Sequence, residues 1–343
     1  MALLELDGLR ISYLTAEGPV RAVDGVSLAL EEGESLGLVG ESGCGKTTVG
    51  RSIIGILAKN ARIDEGAIRY KGRDLRPLSY EAMRPLRWKE IAFIPQAAMN
   101  SFNPVYRVGR QIAEVYSEHL GLRADEALRR VRDLFRLVKL PLARMDGFPH
   151  QFSGGMRQRA LVAMALALDP PLLIADEPTT ALDVATQDRI FATLRRVRRE
   201  AGSSLLLITH DIGLVAENCD RVAVMYAGRV VEYGRTQQVL AEPYHPYTMG
   251  LKNAFPSMSK PRARALISIP GSPPSHLADA ELCWFAPRCP FAETRCWRER
   301  PAVRAIETGH LVACHRAEEA PALRARAADT STWDRAADVA AAS

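Results

Sequence analysis

The tightest constraint on this chain is the run Gly40-Glu41-Ser42-Gly43-Cys44-Gly45-Lys46-Thr47. It fits G-x-x-x-x-G-K-[ST], the pattern of a phosphate-binding loop. The apolar run from Ser35 to Val39 just before it predicts a buried strand. After it, Val49, Ile53, Ile56 and Leu57 recur at helical spacing. Strand, loop and helix are the context that this motif requires. The glycines let the backbone curl until its N–H groups point at phosphate oxygens, and a helix N-terminus adds its positive dipole end. Lys46 is placed to reach the β- and γ-phosphates, and the Thr47 hydroxyl is placed to ligate Mg²⁺. A bare glycine-rich turn would not need all the fixed positions at once.

The chain has 343 residues, enough for one large domain and a smaller one. Its net charge of +5 is spread along the sequence and is too mild to argue for nucleic acid. Met1 to Asp7 carries early acids and no basic leader segment. The longest apolar run, Ala160 to Leu168, falls far short of a membrane span. A cytosolic chain that reaches the membrane only through partners is expected.

Read in order, residues 3–6 and 26–30 are short β segments flanking a loop that holds Tyr13, Gly18 and Pro19. They suggest an antiparallel lead-in. Asp64-Glu65-Gly66 predicts a turn into a strand from Ala67 to Tyr70, and Glu90 to Ile94 predicts another. From Val108 to Leu140 the period changes to that of helices. Ile112, Val115, Tyr116 and His119 form one set; Leu128, Val131, Leu134, Phe135 and Val138 form a second. A helical insert in an α/β domain is the reading. Strands are expected at Leu172–Ala175, Leu205–Ile208, Val222–Tyr226 and Arg229–Glu232, with helices between most of them. That alternation implies a mostly parallel sheet buried on both faces.

Asp176 and Glu177 end an apolar strand, at the edge of the sheet where ligands sit. Asp176 is placed to hold Mg²⁺, and Glu177 to polarise an attacking water as general base. Ser153-Gly154-Gly155 at a second helix start is another anion site. One nucleotide has no obvious need for two such loops, so the second is expected to close on a nucleotide held by another subunit.

These motifs together resemble the ATP-binding subunits of ABC transporters, over nearly all of residues 1–255. Gly40 to Thr47 resembles the Walker A loop and Leu172 to Glu177 the Walker B segment. Phe152-Ser153-Gly154-Gly155-Met156-Arg157-Gln158-Arg159 resembles the family signature, with Met156 where glutamine is usual. Cys44 stands where serine is commoner. Gln96 falls at the Q-loop, Thr180-Ala181-Leu182-Asp183 at the D-loop, and His210 at the switch histidine. The resemblance implies that ATP is held by Tyr13, Gly40, Ser42, Gly43, Cys44, Gly45, Lys46, Thr47 and Thr48. It implies Mg²⁺ at Thr47, Gln96 and Asp176, and catalysis by Glu177, His210 and Gln96. Ser153, Gly154, Gly155, Met156 and Gln158 would face the partner's ATP, with Asp183 beside them.

Later residues resemble one branch of that family, the oligopeptide and dipeptide importers. They are Asn103-Pro104 with Gln111, His245-Pro246-Tyr247-Thr248, Leu251, Pro256 and Gly271-Ser272-Pro273-Pro274. The resemblance is to the D-type subunit. It implies a second, different ATPase as partner, two membrane-spanning permease subunits and an extracytoplasmic binding protein that reads the substrate. It places the chain on the cytoplasmic face of the membrane. Nickel importers are close relatives, so nickel or another small solute is the alternative cargo. A non-transport ABC ATPase and a redox-regulated subunit are the rival readings.

Cys283, Cys289, Cys296 and Cys314 cluster near the end with gaps of 5, 6 and 17 residues. In a reducing compartment such clustering favours metal over disulfides. Some importer subunits with this extension carry a [4Fe-4S] cluster on such cysteines. That cluster is the expectation, with Zn²⁺ second and unligated thiols third. The fold class expected is α/β, P-loop NTPase-type: a mostly parallel sheet, an antiparallel β lead-in, a helical insert and a small metal-binding C-terminal extension. The divisions expected are an ATPase domain over 1–255 with a helical subdomain about 97–168, a four-cysteine extension over 256–317, and a tail over 318–343 that is either floppy or a lone helix.

Overall fold

A computed structural model describes residues 2–96, 101–180, 182–254, 267–274 and 281–334. Strands β1 (Ala2–Thr15) and β2 (Gly18–Glu31) form a long hairpin before β3 (Ser35–Val39). Helix α1 (Lys46–Ile53) leads to β4 (Ala61–Tyr70), β5 (Arg73–Asp74), α2 (Tyr80–Met83) and β6 (Ile91–Ile94). Helices α3 (Val108–Leu120), α4 (Ala124–Leu137) and α5 (Gly154–Ala165) follow. Then come β7 (Leu172–Asp176), α6 (Val184–Ala201), β8 (Ser204–Thr209), α7 (Ile212–Asn218), β9 (Arg221–Tyr226) and β10 (Arg229–Arg235). Helices α8 (Thr236–Ala241) and α9 (Pro246–Ala254), strands β11 (Arg304–Glu307) and β12 (His310–Val312), and helix α10 (Ala320–Ala327) complete the described elements.

The strands form two sheets. One is antiparallel, in the order β2-β1-β4-β5; the other runs β11-β12-β10-β9-β3-β8-β7-β6. In the larger sheet β3 pairs in parallel with β8 and β9, and β7 pairs in parallel with β6 and β8. Strands β3, β7 and β8 are buried at every residue, as a sheet covered on both faces demands. The C-terminal ends of these strands put Gly40, Glu177 and His210 along one edge.

The lead-in strands are longer than their apolar stretches suggest. Tyr13 lies within β1, and the turn is only Ala16–Glu17. Asp64-Glu65-Gly66 is also strand rather than turn. The pairing of β1 with β4 shifts register between Asp7 and Arg10, and Gly66 takes a φ of +89° there. A bulge absorbs the turn-forming residues without ending the strand.

The helical insert keeps its expected faces. Ile112, Val115 and Tyr116 of α3 are buried with Val131, Leu134 and Phe135 of α4, while Leu128 and His119 are only partly buried. Asp125 and Arg129 pair at 3.3 Å across one helical turn. On α6, Ile190, Leu194 and Val197 face inward as the spacing predicts. Its basic face does internal duty too: Arg195 donates to Asn218 Oδ1, and Arg198 pairs with Asp220 at 2.8 Å.

Described C-terminal residues pack onto the main sheet and its core. Strand β12 pairs with β10 and extends the main sheet. Phe285, Phe291, Leu323 and Trp333 join the same apolar core as α3, α4 and α5. The helix after Glu318 is docked rather than lone. Asn253 Nδ2 donates to Ala327 O at 2.9 Å, and Trp333 is 2 % exposed with its indole N–H on Ala327 O at 3.0 Å.

Candidate nucleotide site

The loop between β3 and α1 is shaped by glycines that admit no side chain. A Cβ on Gly40 would lie 2.1 Å from Met225 O, and one on Gly45 2.1 Å from Ala22 O. Gly45 also takes a φ of +99°. Ser42 and Gly43 are exposed at the loop's crest, whereas Cys44 and Lys46 are buried. Lys46 Nζ donates to Gly40 O at 2.7 Å and to Glu41 O at 2.9 Å, so it spans the loop's mouth. Burial pushes the Cys44 thiol up despite Lys46 beside it. Tyr13 OH lies 3.0 Å from Thr48 Oγ1, which fixes the ring next to the start of α1.

Thr47 Oγ1 donates to Asp176 Oδ1 at 3.0 Å. Asp176 Oδ2 is buried with no hydrogen-bond partner. Burial raises the Asp176 pKa. A buried carboxylate oxygen left without a partner is costly, and a divalent cation would satisfy it. Thr47 and Asp176 therefore fit Mg²⁺, while Gln96 turns its Nε2 to Glu177.

Glu177 is the hub of the polar groups. Its carboxylate accepts from Gln96 Nε2 at 2.8 Å and from Thr180 Oγ1 at 2.8 Å, and His210 Nδ1 lies at 3.1 Å. Burial works to raise its pKa, but the hydrogen bonds from His210 and Thr180 outweigh it and hold the pKa below the ordinary value. Its backbone sits at φ +46°, a rare conformation for a residue with a side chain. Strain of this kind turns the carboxylate off the end of β7. The structure thus brings Gln96, Asp176, Glu177 and His210 onto the loop's edge of the sheet.

The signature residues lie at the N-terminus of α5. Ser153 caps that helix by accepting from Met156 N at 3.3 Å and is exposed. Around Gly154 a Cβ would meet open space, so the backbone there is approachable. Gln158 is buried, and its Nε2 has no partner. Asp183 caps α6, accepting from Thr186 N at 2.9 Å. Ala181 and Pro256 lie outside the described residues, as do 97–100. Gln111 explains its own position: it ties Asn103 and Tyr106 into one turn through bonds of 2.8 to 3.0 Å.

The four distal cysteines are arranged differently from the expectation. They line one cavity of about 20 Å³ together with His245 and His315, room for about one water. Among the described residues no group of three or more His, Cys, Asp or Glu side chains is placed to hold a metal ion. Burial pushes the Cys283 thiol up to about 11 and Cys314 up to about 12, and it raises Cys289 well above its usual range. Protonated thiols packed this way behave as small apolar groups. The other histidine flanking them, His310, is fully buried and bonded at 2.8 Å to Glu232.

Sequence reasoning missed one set of contacts. Arg288, beside the cysteines, forms a two-pronged ion pair with Glu41 in the phosphate loop. Tyr247 and Tyr226 complete that contact. The only sequence signal was a carboxylate inside a loop meant for anions.

Comparison with known proteins agrees with this geometry. Residues 23–180 match the ABC transporter family profile, and 231–296 match the oligopeptide/dipeptide transporter C-terminal region. The oligopeptide transport ATP-binding protein OppD of Salmonella typhimurium is 44 % identical over 319 residues, covering 92 % of this chain and 94 % of that one. The dipeptide transport ATP-binding protein DppD of Lactococcus lactis is 42 % identical over 311 residues, covering 90 % and 89 %. Among solved structures, a dimeric ATP-binding cassette in a post-hydrolysis state bound to ADP and Pi aligns with a TM-score of 0.63. It shares 26 % identity over 68 % of this chain and 98 % of its own. The chain belongs to the ABC transporter family of ATP-binding proteins, in the oligopeptide/dipeptide branch.

Proposed function

We propose that this chain hydrolyses ATP to energise peptide import through a membrane ABC transporter. The observation that carries the reading is the arrangement around Glu177, bonded to Gln96, Thr180 and His210 at the rim of the phosphate loop. ATP is held by Tyr13 and the loop from Gly40 to Thr48, with Lys46 on its terminal phosphates. Thr47, Gln96 and Asp176 would hold Mg²⁺, which would supply charge neutralisation at the phosphates. Glu177 accepts the proton of the attacking water, and His210 and Gln96 orient that water and sense the γ-phosphate. The lowered Glu177 pKa supports an ionised base at neutral pH.

Ser153 to Gln158 and Asp183 close on ATP held by a second, different ATPase subunit. The exposed Ser153 and the open space around Gly154 support that role. Closure reaches two permease subunits through the helical subdomain, and an extracytoplasmic binding protein delivers the peptide. An apolar groove of about 420 Å³ beside Gln96, lined by Ile54, Phe93, Pro95, Leu161 and Met164, suits a permease segment. The chain attaches to the cytoplasmic face of the membrane through the permease; no described helix is long and apolar enough to cross a membrane. The ATPase domain occupies 1–255. The C-terminal extension occupies 256–317 and its tail 318–343. The clustering of the four cysteines about one cavity is the support for a [4Fe-4S] centre there; the side-chain placement supplies none. Iron and sulfide analysis of anaerobically purified protein decides it.

The test of the function uses the full complex in liposomes with its binding protein. Peptide-loaded binding protein should stimulate ATP hydrolysis, and Glu177→Gln should remove that stimulation. Stimulation by nickel and not by peptide would replace the cargo.

A further inference from the structure

The phosphate loop of this protein is held from outside the ATPase domain. Glu41, its second residue, carries a carboxylate into a loop whose ligand is a polyanion. Left alone, that charge would repel the phosphates. It is not left alone. Arg288 reaches it from the C-terminal extension, donating from Nη1 to Oε2 at 2.8 Å and from Nη2 to Oε1 at 3.1 Å. This is the bidentate geometry that lysine cannot reproduce.

Arg288 is built for this position. It is 4 % exposed. Its Nε donates to Pro270 O at 2.7 Å, Nη1 also to Tyr226 OH at 3.3 Å, and Nη2 also to Ile269 O at 3.4 Å. Every guanidinium hydrogen therefore has an acceptor. The residue sits on a tight turn, Ala286–Arg288, where Ala286 N donates to Cys283 O and Cys289 N to Ala286 O. Phe285 of that turn packs edge-on against Tyr226, with ring centres 5.2 Å apart, and against Tyr247 at 5.4 Å. Tyr247 OH in turn accepts the Glu41 backbone N–H at 3.0 Å. So both the charge and the amide of Glu41 are claimed by residues C-terminal to the central strands. Lys46 grips the same peptide through Gly40 O at 2.7 Å and the next one through Glu41 O at 2.9 Å.

We propose that Arg288 is a positioning residue for ATP: by neutralising Glu41 and fixing its peptide, the C-terminal extension sets the shape and charge of the phosphate loop. This rests on the reading that Gly40 to Thr48 binds ATP. The consequence is that nucleotide affinity depends on a residue of the extension that touches no nucleotide.

The test measures binding of a fluorescent ATP analogue with Mg²⁺ to the full chain. Arg288→Met should raise Kd about tenfold, as loss of a charge-assisted pair does. Adding Glu41→Gln to Arg288→Met should recover most of that loss, because the harmful charge is gone. Packing loss alone would not be recovered. In the assembled transporter Arg288→Met should raise the KM for ATP by a similar factor and change kcat less than twofold. If Arg288→Met proves insoluble, Arg288→Lys carries the test, with Kd raised about threefold. Lys46→Ala is the control for the site itself and should abolish measurable binding. If it does, and either Arg288 variant binds within twofold of the parent or Glu41→Gln gives no recovery, the proposal is overturned. If Lys46→Ala still binds, the loop reading on which it rests is overturned instead.

Discussion

The phosphate-loop edge and the four-cysteine cavity both gather reactive side chains, yet they are organised in opposite ways. At the loop edge, polar groups are held with capacity to spare: Asp176 Oδ2 is buried without a partner, and Glu177 is ionised and ringed by donors. At the cavity, burial raises the thiol pKa values of Cys283, Cys289 and Cys314, and the space between them is small. The first is arranged to hold a charged ligand. The second gathers four thiols about one small space. A spacing pattern encodes a site when local backbone fixes the geometry, as strand, loop and helix do around Gly40 to Thr47. A count of cysteines fixes no such geometry.

Substitutions separate the two regions, and the largest effect should come from neither. Trp333→Ala removes a buried anchor of the extension and should cost about 3–5 kcal/mol in chemical unfolding. At the loop edge, Lys46→Ala should weaken ATP binding at least a hundredfold with little change in melting temperature. If it destabilised the fold instead, the loop would be a structural turn. A pH profile sharpens the role of Glu177. Its lowered pKa places the acid limb of kcat below the ordinary glutamate value, because the base works only when ionised. The stability that it contributes is present above its unfolded value and is lost as pH falls through the folded one. His210→Ala removes a bond to the ionised form, so the acid limb should move to higher pH. A shift to lower pH would contradict the hydrogen bond as its cause. In the cavity, Cys296→Ala should cost only about 1 kcal/mol and leave ATP binding unchanged. A loss of several kcal/mol with release of iron or zinc would turn that region from packing into a ligand centre.

Much of this was legible in the sequence. The loop glycines, Asp176-Glu177, the helical insert and the inward face of α6 follow from period and punctuation alone. Gln96, Tyr13 and His210 carried no local signal; the family resemblance placed them, and the structure brings them beside the loop. Two features stayed hidden because they depend on pairing between distant segments. Asp64-Glu65-Gly66 has turn chemistry, but strand β1 recruits it into a bulge. Arg288 and Glu41 are 247 residues apart, and nothing in either neighbourhood announces the other. The extension reads as separate because prolines weaken its periodicity, whereas β12 pairs with β10 and completes the sheet.

The central claim is that Glu177 is the base of a nucleotide site assembled on this edge. Single-turnover hydrolysis by the assembled transporter carrying Glu177→Gln, with ATP binding followed on the same sample, tests it most directly. The account expects binding within about twofold of the parent and a hydrolysis rate lower by about 10²–10⁴. Hydrolysis near the parent rate would contradict it.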